Sequence, residues 1–254
     1  GTVSTQVERD AFSLVGEWPS QAEEEALPLF LDGLTPPDPS DAELELRRRQ
    51  LITELRHHDE SRAAALAKLK AKLYGSHPYK LEPSVQSLSG LQRKRLAELV
   101  RRFYSPTQLT LAIVGDVEPY AVFALIESRL QSGAKSQSAP IPSQQPLPTV
   151  ETPRQYLSYH SHDQALLGLG FRTPSLRGSD ALALAVLSDL LVGPSGRLHR
   201  ELVERRGLLL SLDGALELGV QGGALLIGAV TAPASLASAE ASLRDELRRL
   251  IDHP

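Results

Sequence analysis

The chain contains no cysteine, which excludes disulfides, thiolate zinc sites and cysteine nucleophiles. It leaves the compartment open, because reducing and oxidising surroundings both tolerate a cysteine-free protein. Methionine is absent too, the initiator included, as expected of a processed product or a piece of a longer chain. No apolar run approaches the roughly 18 residues of a membrane-spanning helix. The opening residues Gly1-Thr2-Val3-Ser4 show no basic-then-apolar signal pattern, so no membrane span is expected. An excess of positive charge is also missing. A net charge of -4 and a pI near 6.0 give no field to attract nucleic acid or anionic lipid. The run Arg47-Arg48-Arg49 is offset by Glu43 and Glu45, so no nucleic-acid partner is expected.

What is present is an ordinary globular composition, 254 residues with 41% hydrophobic and 23% charged, enough for one large domain or two modest ones. Asp41 is a plausible N-cap. From it Leu44, Leu51, Leu55, Leu66, Leu69 and Leu73 recur at helical spacings until Gly75 supplies a stop. This predicts one long amphipathic helix, or two broken near His57-His58-Asp59. A further helix is predicted over 89–104, a largely buried strand over 108–114, and a helix opened by Pro119 that carries Val122, Phe123, Leu125, Ile126 and Leu130.

Residues 131–153 change character: Gln, Ser, Ala and Pro dominate and apolar periodicity vanishes, which reads as a linker. Beyond it the pattern predicts strands at 155–160 and 165–171, a helix over 179–192, a turn at Gly193-Pro194-Ser195-Gly196 and a helix to Arg206. Strands at 208–217 and 223–230 and a helix over 235–251 complete it. The expected fold is α+β, two layered domains with helices on one face of an antiparallel-rich mixed sheet, over 1–130 and 154–254.

Few residues carry chemistry. His160 and His162, two apart on a predicted strand, face one side, a geometry that can hold a transition metal. No third or fourth ligand accompanies them, and polar decoration of a strand end is the commoner reading. His77, held extended by Pro78, is expected to hydrogen-bond the backbone of a tight loop. The glycines of 193–196 and 219–223 lack the Lys-Ser/Thr ending of a phosphate loop, and the second group reads as a hairpin. Ser195 stands in no G-x-S-x-G elbow.

Four segments, in order, resemble the insulinase/pitrilysin-type (inverzincin) zinc metallopeptidases. Arg47 to Leu55, with Glu54 inside Leu51-Ile52-Thr53-Glu54-Leu55, resembles the stretch that supplies the third zinc ligand. Leu73-Tyr74-Gly75-Ser76-His77-Pro78-Tyr79 resembles the family's G-x-H-P-Y loop. Phe103-Tyr104-Ser105-Pro106 followed by Leu109 to Asp116 resembles its helix-to-strand passage, and Gly196-Arg197-Leu198 through Gly207-Leu208-Leu209-Leu210-Ser211 a segment of its second domain.

The resemblance implies paired α+β domains of the mitochondrial-processing-peptidase type, with two halves enclosing a chamber for unfolded peptides. The catalytic motif is missing: H-x-x-E-H sets two imidazoles on one helix face with a Glu to activate zinc-bound water, and none of the seven histidines stands in it. On the same alignment the chamber's Arg and Tyr fall on Val203 and Leu210, and the Glu that supports the third ligand falls on Arg47. The chain is therefore expected to be a non-catalytic portion, the inactive domain of such a peptidase, without a cofactor of its own although the complete family enzyme uses zinc. Its expected partners are a catalytic domain or subunit, unfolded peptide, or a second copy in a homodimer. Two alternatives follow from the same residues: a catalytic half whose zinc helix lies upstream of residue 1, with Glu54 as metal ligand, or an assembly subunit with no peptide substrate.

Overall fold

The computed structural model describes residues 1–34, 37–57, 60–103, 108–130, 147–148 and 163–252. In chain order they form β1 (Thr2–Val7), β2 (Phe12–Glu17), α1 (Glu23–Asp32), α2 (Asp41–His57), α3 (Glu60–Tyr74), α4 (Val85–Ser89), α5 (Arg93–Phe103), α6 (Pro119–Leu130), β3 (Ala165–Thr173), α7 (Ala181–Val192), β4 (Ser211–Glu217), β5 (Gly223–Thr231) and α8 (Leu236–Asp252), with a π-helix at His199–Arg205. Contacts group 1–55 with 83–143, and 56–82 with 144–254. The fold is α+β.

In the first unit β1 and β2 make an antiparallel hairpin, Thr2 opposite Glu17 and Val7 opposite Phe12. Glu23, Glu24 and Glu25 occupy the first turn of α1, where carboxylates complement the positive end of the helix dipole. Leu27 and Leu31 of α1 bury against Val122 of α6, with Leu111, Ile113 and Ile126 around them. The cap of α2 is Ser40 rather than the expected Asp41. The Glu43 backbone N–H donates to Ser40 Oγ at 3.3 Å, and the Ser40 N–H donates back to Glu43 Oε2 at 2.8 Å, a reciprocal capping box written in the sequence as S-x-x-E. Hydrogen bonds from the Ser40 hydroxyl and N–H hold the Glu43 carboxyl below its ordinary range.

The helix expected over 89–104 is α5, which begins only at Arg93; the chain turns at Gly90, after the short α4, which opens with its own Ser84–Ser87 capping box. Arg48 of α2 fastens this corner, donating through Nε to the Leu88 carbonyl at 3.1 Å and through Nη2 to that of Leu91 at 2.5 Å. A carbonyl in the last turn of α4 and one just beyond the helix are thereby engaged. The strand expected over 108–114 does not form among the described residues. Leu111 and Ile113 pack into the α1–α6 cluster, but Val114 is 98% exposed and no described strand pairs with the segment. Alternation in sequence predicts which side chains turn inward; a ladder also needs a neighbour.

The second unit is built on a three-stranded antiparallel sheet of order β3-β5-β4. Leu169 lies opposite Ile227, and Gly214 faces Ile227 from the other side. β5 is central and nearly wholly buried, which explains its unbroken apolar run. One face, with Leu212, Leu225, Ile227 and Ala229, packs on Leu191 of α7, on Leu198 and Leu202 around the π-helix, and on Ala239 and Leu243 of α8. Each fully buried leucine here contributes about 2 kcal/mol of transfer free energy. The opposite face, with Ala224 and Leu226, is covered by Leu73 and Tyr74 of α3 and by Tyr79, so α3 packs on the sheet that follows the expected linker. Gly170 of β3 permits this approach, because a Cβ there would lie 3.2 Å from Leu69 Cδ1 and overlap Leu73. The expected strand 155–160, and all of the expected linker except Leu147 and Pro148, lie outside the described residues.

Candidate functional site

Glu54, the carboxylate aligned with the third zinc ligand, lies on α2 with 59% of its side chain exposed. It pairs with Arg47, with Nη1 at 3.8 Å from Glu54 Oε1. Leu46, Arg49, Gln50, Thr53 and Glu54 line a shallow, open depression there. The cation that the resemblance put on Arg47 is thus beside the carboxylate. Among the described residues no group of three His, Cys, Asp or Glu side chains converges as a metal site. A tetrahedral zinc needs several converging neutral or anionic donors, and one exposed carboxylate next to a guanidinium does not fit it. His160 and His162 lie outside the described residues.

The G-x-H-P-Y loop is structural here. His77 is buried, and its Nδ1 accepts the Tyr79 backbone N–H at 3.2 Å, which leaves the ring proton on Nε2. The imidazole meets the Tyr79 ring edge-on at 4.4 Å between centroids, and Tyr79 meets Tyr74 at 5.8 Å. The Tyr79 hydroxyl accepts the Gln221 backbone N–H at 3.3 Å, tying this loop to the β4–β5 hairpin. That hairpin closes as the glycine spacing predicts, through paired hydrogen bonds between Gly219 and Gly222.

Beside it lies a half-buried polar cluster that sequence reading missed. Lys70 of α3, only 7% exposed, donates to Glu82 Oε1 at 2.6 Å and forms an ion pair with Glu217 at the end of β4. Tyr74 Oη stands 3.5 Å from Glu217 Oε2, and the Arg172 guanidinium of β3 lies over the Tyr74 ring at 5.1 Å. Burial pushes the Arg172 guanidinium below its ordinary value, opposed by the charge interaction with Tyr74. Arg172, Ala224 and Glu217 stand side by side across the three strands, so the cluster pins α3 over one end of the sheet. The signal was legible: Lys70 falls within the Leu66, Leu69, Leu73 stripe, where a cation requires an acidic partner. A second cluster centres on Glu246 of α8, 3% exposed, which takes Arg249 at 2.9 Å, Arg197 at 3.4 Å and Arg206 at 3.5 Å.

The two positions aligned with the chamber's Arg and Tyr hold no polar side chain. Val203 packs against the α7–α8 core, and Leu210 is 59% exposed, its N–H bonded to the Val230 carbonyl at 2.8 Å. The described residues thus offer an α+β scaffold on which both chamber-aligned positions are apolar.

Comparison with known proteins agrees. Residues 90–254 match the model of the peptidase M16 inactive domain, and the chain belongs to that family. It is 31% identical over 196 residues to an uncharacterized zinc protease of Mycobacterium tuberculosis, covering 75% of this chain and 45% of the relative; the chain thus spans less than half the length of that relative. In fold it is similar to a protease from Helicobacter pylori, with a TM-score of 0.82 at 20% identity over 98% of this chain and 62% of that one. It is also similar to a peptidase M16 inactive domain from Pseudomonas fluorescens, with a TM-score of 0.76 at 18% identity, covering 100% and 63%.

Proposed function

We propose that the chain is a non-catalytic portion of an M16-type zinc endopeptidase, and that it helps to wall a chamber holding unfolded peptide beside a catalytic domain or subunit. The observation that carries this is a matched scaffold without its chemistry. The inactive-domain model covers 90–254, the sequence has no H-x-x-E-H, and the aligned chamber positions are Val203 and Leu210. Purified chain dialysed against zinc and then against metal-free buffer is expected to retain far less than one zinc per chain. Stoichiometric retention, measured by elemental analysis, would point to His160 and His162 and overturn the non-catalytic reading.

A second reading is supported by the exposure of Glu54, which leaves its carboxylate accessible to donors from elsewhere. A protein extended upstream to include an H-x-x-E-H helix would then hold zinc through Glu54. Loss of zinc from such a protein on Glu54→Ala would favour this reading, and unchanged zinc content would remove it.

The division at 131–153 belongs to the same proposal, since Pro, Ser and Gln replace apolar periodicity there. Limited proteolysis is expected to cut there first. Initial cleavage within 41–75 or 179–206 would show the boundary to be misplaced.

A further inference from the structure

Helix α5 carries Arg93, Lys94, Arg95, Arg101 and Arg102 against a single acid, Glu98, in a chain whose net charge is -4. Arg93 is engaged, donating to the Pro39 carbonyl at 2.7 Å and to Asp38 at 2.8 Å. The other four cations are exposed; Arg101 bonds only its own helix, through the Ala97 carbonyl at 3.2 Å. Among the described residues none of the four pairs with a carboxylate.

The helix buries Val100 and turns Leu96 and Ala97 partly inward, yet Leu99 is 56% and Phe103 43% exposed. At about 100° per residue, Arg95, Leu99, Arg102 and Phe103 occupy one sector of roughly 100° on the helix surface. Within it the Arg102 guanidinium rests over the Phe103 ring at 5.0 Å, a stacking that orders both side chains.

We propose that this face of α5 docks an acidic peptide segment bearing hydrophobic side chains among its carboxylates. The inference is independent of the chamber reading. Arginines match carboxylates in a two-pronged geometry, while Leu99 and Phe103 offer the apolar contact that turns charge attraction into a specific interface. A short peptide lying on the helix feels the local cations, which are within a Debye length of about 8 Å. An anionic membrane or a duplex presents an extended charged surface, which the chain's overall negative charge disfavours, and α5 keeps its most buried apolar position, Val100, turned away from solvent.

The test uses the full chain and a fluorescein-labelled short peptide of repeating Glu-Glu-Leu-Phe, read by fluorescence anisotropy beside the same peptide with Lys in place of Glu. The acidic probe is expected to bind and to weaken as salt is raised, and the Lys probe is not. The Arg95→Glu/Arg102→Glu variant is expected to weaken the acidic probe by at least about tenfold, and Leu99→Ala/Phe103→Ala by about threefold or more, with Arg177→Glu unchanged. All of these positions are solvent-facing, and circular dichroism checks that the variants keep the fold. Equal affinity for the two probes, or indifference to the α5 substitutions, would overturn the proposal. Tighter binding of phosphatidylserine vesicles or duplex DNA through the same arginines would overturn it as well and reassign the face.

Discussion

Replacing Lys70 by methionine is expected to destabilise the second unit by about 3 kcal/mol, the scale for removing one partner of a buried ion pair. The ammonium is 8% exposed and holds two carboxylates, Glu82 and Glu217. Without it, Glu82 and Glu217, the latter 18% exposed, lose the cation that joins them. Methionine keeps the length of the side chain, so the loss is electrostatic rather than a cavity. Adding Glu217→Gln should recover a large part of it, because the buried charge is then gone, and the double-mutant cycle measures the coupling directly. Urea unfolding read by circular dichroism checks both. A Lys70→Met loss below about 0.5 kcal/mol would mean that α3 is held by its leucines alone.

Gly223→Ala is expected to be comparably severe. The residue opens β5 where it pairs with the end of β4, and a Cβ there would overlap the Glu217 carbonyl oxygen and lie 2.8 Å from Thr173 Oγ1. The obstacle is backbone within a ladder, which cannot rotate aside as a side chain can. The hairpin must shift, at a cost of about 3 kcal/mol or more on the scale of overpacked interiors. Thermal unfolding should fall by several degrees, since 1 kcal/mol moves the midpoint of a domain this size by about 2–4 °C. An unchanged midpoint would contradict the tight β4–β5 geometry.

Local signals were the legible ones. The α6 start at Pro119, the α7 and α8 helices, the glycine hairpin before β5 and the unbroken apolar run of β5 itself all follow from spacing and turn chemistry within a few neighbouring residues. Residues 1–40 gave no assignment, although β1, β2 and α1 lie there; the hairpin is short and exposed, and such strands carry little apolar contrast. The segment 108–114 alternates as a strand should, yet its state is decided by whether another strand lies beside it. The packing of α3 on the sheet also escaped, because it joins residues before the expected linker to residues after it. The candidate site was read chiefly through what it lacks. His77 proved to be the backbone-bonding residue that its Pro78 neighbour implied, whereas Lys70 in the leucine stripe signals only that an acidic partner is needed, and Glu217 is too far along the chain for any spacing rule to find.

Helix α7 carries an apolar surface, with Leu182, Val186 and Leu190 82%, 60% and 62% exposed at helical spacing.

If the chain holds peptide without cutting it, both properties are visible in a single cross-linking experiment. An unfolded, fluorescent peptide carrying a photo-activatable cross-linker is incubated with the purified chain and zinc, irradiated, and resolved by size with the adduct mapped by mass spectrometry. A covalent adduct that carries the intact peptide is expected, with no shortened product even on long incubation. Cleaved peptide would contradict the absence of catalysis, and a lack of adduct would contradict the peptide-holding role and leave an assembly subunit in its place.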